Sequence, residues 1–317
     1  MNMFYFIIQQ TMFFTIPLIV VALGGLFSEK SGVVNIALEG KMIMGAFTGV
    51  MFITTFQDRL PGQPVLILGL LVATLTGILV SVFHAYASIN LKANQVISGV
   101  AINMFAPAFA VYVSRIYAGT QNVHFVNQFR IESVPVLGSI PVIGDMFFQN
   151  TYITTYLGFV ILGVSAFVLY KTKFGLRLRA CGEHPQAADS VGVSVTKMRY
   201  AGVLISGGLA GIGGLIYIIP ISIVFSGTVS GYGFLALAVL IFGAWKPQRI
   251  LLAAAFFGFM QTIAASSTAI DFLNNLGIPV HFYRMLPFIA TLVVLSFTSK
   301  NTMAPKAAGQ PYDKGGR

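Results

Sequence analysis

Two stretches of this sequence, residues 1–28 and 201–245, contain no Asp, Glu, Lys or Arg at all. A soluble core alternates its apolar runs with charged faces, whereas about 20 apolar residues rising 1.5 Å each cross the hydrocarbon of a bilayer. The remainder agrees: of 317 residues 56% are hydrophobic and only 9% charged, against about 25% in an ordinary soluble domain. The chain therefore reads as an all-α polytopic membrane protein. The first apolar run lacks a basic start, is too long for a secretion signal and is followed by more spans, so it reads as a retained first helix.

Charge-poor runs fall near residues 4–26, 32–55, 63–84, 95–117, 151–170, 200–219, 231–244, 249–269 and 281–298. They predict about nine (8–10) transmembrane segments. The seventh is short, and the stretch before it, PISIVFSGTVS, is β-branched and Gly-interrupted, which predicts a broken or re-entrant helix. GGL at 24–26 precedes SGVVN at 31–35, and GGL at 213–215 precedes SGTVS at 226–230. This echo suggests an inverted repeat.

The net charge of +10 admits nucleic acid as a partner, but position decides otherwise. With the amino terminus outside, Lys30, Lys41, Lys92, Lys171, Lys173, Arg177, Arg179, Lys197, Arg199, Lys246, Arg249, Lys300, Lys306, Lys314 and Arg317 fall inside. Only Arg59, Arg115, Arg130 and Arg284 stay outside, a positive-inside bias that absorbs the charge and leaves no role for nucleic acid. The carboxyl terminus is then cytoplasmic. The single cysteine, Cys181, excludes an internal disulfide and a cysteine metal cage. Loop 118–150 lies outside, with Pro135 and Pro141 breaking regular structure. Loop 171–199 lies in the cytoplasm, and the tail 301–317, rich in Lys, Gly and Pro, reads as disordered.

The cytoplasmic loop contains GEHPQAADSVGV. Pro185 suits a first helical turn, Glu183 its positive end and Gly192 a stop, while Ala187, Ala188 and Val191 form a small apolar face. Such a face suits docking into another protein's groove or lying at the lipid interface, anchored by Arg177 and Arg179.

This segment resembles the coupling segment of permease subunits in ABC importers, with QAADSVG in place of EAA-x-x-x-G. Together with SGVVNIALEGKMIMGAF, ANQVISGVAIN and GYGFLALAVLIFGAWKP, it resembles the ribose, branched-chain amino acid and nucleoside branch of those permeases over residues 10–300. LGGLFSEKSGVVNIALEG is most similar to the nucleoside-uptake members. The resemblance implies a transmembrane permease domain over residues 1–300, in the plasma membrane of a bacterium, working by alternating access. A separate ATP-binding subunit, carrying the ATP and Mg²⁺, would receive the coupling residues Glu183, His184, Pro185, Gln186, Ala187, Ala188, Asp189 and Gly192. Gln186 stands in the Glu position, so an ion pair assigned there in relatives is missing. The resemblance further implies a second permease, a distinct paralogue in nucleoside systems, and an external substrate-binding lipoprotein.

The residues agree that this chain hydrolyses nothing. Gly40–Lys41 lacks both the earlier glycine of a P-loop and a following Ser or Thr, and no HExxH, CxxC or G-x-S-x-G occurs. No cofactor or metal site is expected. His84, His124, His184 and His281 stand apart in sequence, and His84 and His281 fall near membrane ends, where interfacial placement is expected.

Polar groups in spans should face protein or water. Asn35 and Glu39, four apart, would share a helical face. Asn94, Gln95, Ser98 and Asn103 form a second cluster, and Tyr232 and Phe234 bring aromatics to the broken segment. Amides and rings suit a hydroxylated sugar carrying a stackable base, and Asn35, Glu39, Asn94, Gln95, Asn103, Tyr232 and Phe234 are the substrate-path candidates. Helix-to-helix hydrogen bonding explains each of them equally. The glycines of LISGGLAGIGGLIY are expected to pack helices closely. The leading reading is a nucleoside importer permease. A simple-sugar permease is the nearest alternative and an ion-coupled transporter, with no use for a docking segment, a more distant one.

Overall fold

The computed structural model describes residues 3–268, 270–298 and 304–314. Helix α1 (Met3–Lys30) is buried without interruption from Phe13 to Glu29. A helix apolar on every side belongs in the middle of a bundle, and its partner there is α9 (Val195–Ile221). The Gly-rich run of α9 explains how closely they meet. A Cβ on Gly24 of α1 would lie 2.9 Å from the Ser206 carbonyl oxygen.

Around this pair stand α2 (Leu38–Phe56), α3 (Gln63–Ala85, extended by a π turn to Asn90) and α4 (Gln95–Ala118). On the other side are α6 (Ile153–Lys171), α10 (Tyr232–Phe242), α11 (Pro247–Ser266) and α13 (Val280–Thr298). The glycines of α9 do pack as expected. A Cβ on Gly207 would strike Ser81 and Gly77 of α3, one on Gly211 would strike Ala73, and one on Gly214 would strike the Met42 backbone of α2. The outer face of α3 carries Leu71, Leu75 and Leu79 at helical spacing, 55–65% exposed, a stripe that only lipid or another apolar chain covers.

Among the described residues six helices are long and apolar enough to cross a membrane: α1, α3 with its π turn, α4, α6, α9 and α11. The other three expected segments hold α2, α10 and α13. With 11 residues, α10 reaches about 16 Å, half of the hydrocarbon. The segment expected from residue 32 becomes helical only at Leu38, and residues 33–35 carry no regular structure.

The expected outer loop is more ordered than its prolines suggest. Strand β1 (Val123–His124) pairs with β4 (Val224–Phe225), and β2 (Arg130–Ser133) with β3 (Gln149–Tyr152), with the short helix α5 (Ile143–Phe147) between them. Gln9 of α1 donates to the Asp145 carbonyl at 2.7 Å, so the start of α1 lies on this face.

The opposite face carries α7 (Lys173–Glu183), α8 (Pro185–Ser190) and the tail, while α12 (Asp271–Asn274) joins α11 to α13. Residues 301–303 and 315–317 of the tail lie outside the described residues, as do Lys300 and the side chain of Arg284. Residues 304–314 differ from the expected disorder. Ala307 N donates to the Gly182 carbonyl at 2.9 Å and Gly309 N to that of Gly32 at 3.2 Å. Arg199 Nη1 donates to the Gln310 carbonyl at 2.9 Å, and Lys92 pairs with Asp313 at 2.8 Å. Pro305 and Pro311 lower the entropy lost on ordering such a strap.

Candidate functional site

Residues 31–37 connect α1 to α2 without a helix, yet Ser31, Val33, Asn35 and Ala37 are fully buried. Non-helical backbone inside a membrane must find its hydrogen bonds elsewhere in the protein. Here the partners come from α3 and α4. Val34 N donates to Gln95 Oε1 at 2.7 Å, Asn103 Nδ2 donates to the Ile36 carbonyl at 2.9 Å, and Gly40 N donates to Asn103 Oδ1 at 2.8 Å. His84 Nε2 lies 3.1 Å from the Val34 carbonyl and Nδ1 3.0 Å from Ser98 Oγ. Facing a carbonyl, Nε2 carries the proton, so Nδ1 accepts from Ser98. Gln95 and Asn103 therefore hold a loop. His84, expected near a membrane end, is fully buried within the protein. Asn94 accepts from Val96 N and Ile97 N at 2.9 and 3.2 Å and caps α4. It also lines, with Ser98, Phe83 and Ile97, a cavity of about 510 Å³ between the end of α3 and the start of α4.

Asn35 and Glu39 do not share a helical face, because Asn35 precedes the helix. The Asn35 amide donates to Ser206 Oγ at 2.7 Å and accepts from Lys41 Nζ at 2.9 Å. Lys41, expected to mark the cytoplasmic boundary, is instead wholly buried. The buried connection between α1 and α2 brings Asn35 beside it, and the Asn35 carbonyl accepts from its Nζ.

Glu39 turns toward α10. Its carboxylate accepts from Gly231 N at 2.9 Å and from Gly233 N at 2.6 Å. A Cβ on Gly233 would strike the Glu39 backbone, so two helix N-termini meet here, and a carboxylate from the first turn of α2 receives the free N–H groups at the start of α10. Unsatisfied N–H groups and the dipole make such ends favourable for negative charge. Beside it the Tyr217 and Tyr232 rings lie 4.0 Å apart between centroids, with Phe14 6.4 Å from Tyr232. The Tyr232 hydroxyl is buried and has no partner among the described residues. Phe234 points away from this cluster and is half exposed. Tyr217 and Ser206 escaped the sequence reading, since nothing marks them within a Gly-rich helix.

At the other end, His184 breaks the chain between α7 and α8 at φ −142°, and Pro185 starts α8. Gly192, at φ +83°, ends the turn with Val193 N bonded to the Ala188 carbonyl at 3.0 Å. The apolar face is divided. Ala188 and Pro185 are buried, Ala188 against Cys181 and Val195, while Gln186, Ala187, Val191 and Gly192 are exposed. Glu183 faces inward to Lys30 at 3.9 Å, and Asp189 is half-buried. Burial pushes the Cys181 thiol up, with Arg199 acting in the opposite sense, which leaves it a packing residue.

The family model described as the permease component of branched-chain amino acid transport systems matches residues 7–295. The chain belongs to that permease family. The permease is 45% identical to the guanosine ABC transporter permease protein NupQ of Bacillus subtilis, over 98% of this chain and 97% of the relative. It is 40% identical to the nucleoside ABC transporter permease protein NupC of Lactococcus lactis, over 99% and 98%. A putative glucose ABC transporter permease protein, TsgC13 of Haloferax volcanii, is 30% identical over 94% of each chain. No solved structure matches. The permease is thus a multi-pass membrane protein and a transport subunit of an ABC importer.

Proposed function

We propose that this permease carries nucleosides into the cell, driven by a separate ATP-binding subunit docked on the exposed side of α8. The observation that carries the substrate assignment is the 45% and 40% identity to permeases for guanosine and nucleosides over nearly the whole chain. The 30% identity to a putative glucose permease favours a simple sugar as the second reading. Radiolabelled guanosine uptake should vanish in cells deleted for this chain, and excess unlabelled nucleoside, but not ribose or glucose, should suppress it in the parent. Competition by the sugars alone would overturn the nucleoside assignment.

The face with α7, α8 and the tail is cytoplasmic in this reading, and the face with the β ladders receives substrate from an external binding lipoprotein. The cavity between α3 and α4 is lined from one side only, which suits a passage completed by a second, related permease chain, with Asn94 and Ser98 facing the substrate. Two units, α1 with the loop to α2 and α9 with the stretch to α10, repeat the same order of parts in opposite senses, which supports an inverted repeat and alternating access about Glu39.

The docking assignment has its own test. Nothing lies within 4 Å of a Cβ on Gly192, but φ +83° costs a substituted L-residue about 1–2 kcal/mol. Gly192→Leu should leave the amount of chain in the membrane unchanged and lower ATP-dependent uptake about tenfold. Unchanged uptake would place the docking contact of the ATP-binding subunit away from this turn.

A further inference from the structure

On the face that carries the tail, Lys30, Arg179, Lys246 and Lys306 line a cavity of about 480 Å³ together with Glu183, Tyr170 and Trp245. Four cations face one carboxylate there. Glu29 lies behind the Trp245 indole, which donates to it, and counting it still leaves two positive charges in excess. The cavity is built rather than accidental. Ala244 and Trp245 both adopt positive φ, 47° and 53°, a conformation that non-glycine residues hold only where the surrounding structure imposes it, and this turn buries the indole and sets Lys246 on the rim. Arg179 stands over the Tyr170 ring at 5.0 Å and bonds the Gly175 carbonyl through Nε. Its two Nη groups make no further hydrogen bond among the described residues and remain for a ligand.

A second hollow of about 290 Å³ shares Tyr170 and Lys246 and continues past Ala166 and Pro247 along the groove between α6 and α11. Its walls are mainly apolar. A basic chamber joined to an apolar groove at a membrane helix end has the shape of an amphiphile carrying a negative head.

We propose that this chamber and groove bind an anionic phospholipid, its phosphate between Arg179, Lys246 and Lys306 and an acyl chain along α6 and α11. Tyr170 stands at the junction, where an aromatic ring with a polar tip suits the headgroup level. The occupant touches Glu183, the last residue of α7, and Lys306 of the tail, so it braces the two segments flanking the docking helix α8.

The full-length chain, extracted from membranes and exchanged into nanodiscs of phosphatidylglycerol mixed with phosphatidylcholine, tests this by native mass spectrometry of the lipid retained. The wild type should keep phosphatidylglycerol about tenfold over phosphatidylcholine, and Arg179→Gln/Lys246→Gln should lose that preference. Ala166→Trp, which fills the groove and leaves every charge in place, should also reduce retention, while Arg179→Lys/Lys246→Arg should preserve most of it. Equal retention of the two lipids by the wild type, or undiminished preference in the glutamine variant, would overturn the proposal. So would displacement of the bound lipid by millimolar inorganic phosphate, which marks a free-anion site. Loss of ATP-binding-subunit docking in the glutamine variant, with lipid preference intact, would assign the charges to a protein contact instead.

Discussion

Replacing Glu39 by Ala should abolish uptake and destabilise the purified chain by several kcal/mol. The carboxylate accepts from Gly231 N and Gly233 N at 2.9 and 2.6 Å, and each hydrogen bond to a charged group contributes about 1.5–3 kcal/mol. Water does not replace them, because Glu39 is only 6% exposed. Glu39→Gln separates support from transport. The amide keeps one acceptor oxygen but turns an NH₂ toward the second N–H, so about half of the loss is expected. The measurements are thermal unfolding in detergent and uptake in cells. A glutamine variant with full stability and full uptake would remove Glu39 from both roles, whereas full stability with lost uptake would place its charge in the transport step itself.

The second large effect is expected at Gly45. A Cβ there would collide with the backbone of Gly211 on α9, and backbone, unlike the end of a flexible side chain, has no rotamer through which to yield. Gly45→Leu therefore separates α2 from α9, the helices that carry Lys41 and Ser206 to Asn35. Overpacking of this kind costs about 1–3 kcal/mol or more, and the polar contacts of Asn35 should fail with it. Fluorescence-detected size exclusion should show little monodisperse chain. Gly163→Leu is the control: nothing lies within 4 Å of a Cβ on Gly163 of α6, and a normal profile is expected. A normal profile for Gly45→Leu would mean that the helices are not held at this separation.

The membrane character of the chain was legible because the bilayer imposes a requirement on composition, and charge-free stretches meet it wherever they fold. The turn chemistry of α8 was legible too, since Pro185 and Gly192 act locally. What Asn35, Gln95, Asn103 and His84 do was not, because an amide in a span looks the same whether it faces substrate or a backbone carbonyl, and their partners lie far away in sequence. Lys41 misled for a related reason: a lysine signals an interface only if nothing inside the bundle receives it, and Asn35 does. Lys, Gly and Pro made the tail look disordered, yet its order comes from backbone exchange with Gly182 and Gly32, to which composition is blind. The meeting of two helix starts at Glu39 joins residues 192 and 194 positions apart, beyond the reach of any local pattern.

The buried loop before α2 also imposes an order on biosynthesis. Val34 waits for Gln95, 61 positions later, and Ile36 for Asn103, 67 later, an interval of about 3–13 s at a ribosomal rate of about 5–20 residues per second. During that time the loop's amides and carbonyls cannot rest in lipid and must stay in the aqueous shelter of the insertion machinery. The side chain of Asn35 waits longer still, for Ser206 171 positions later, so the loop gains its α4 partners first and its partner on α9 only when much of the chain has been made.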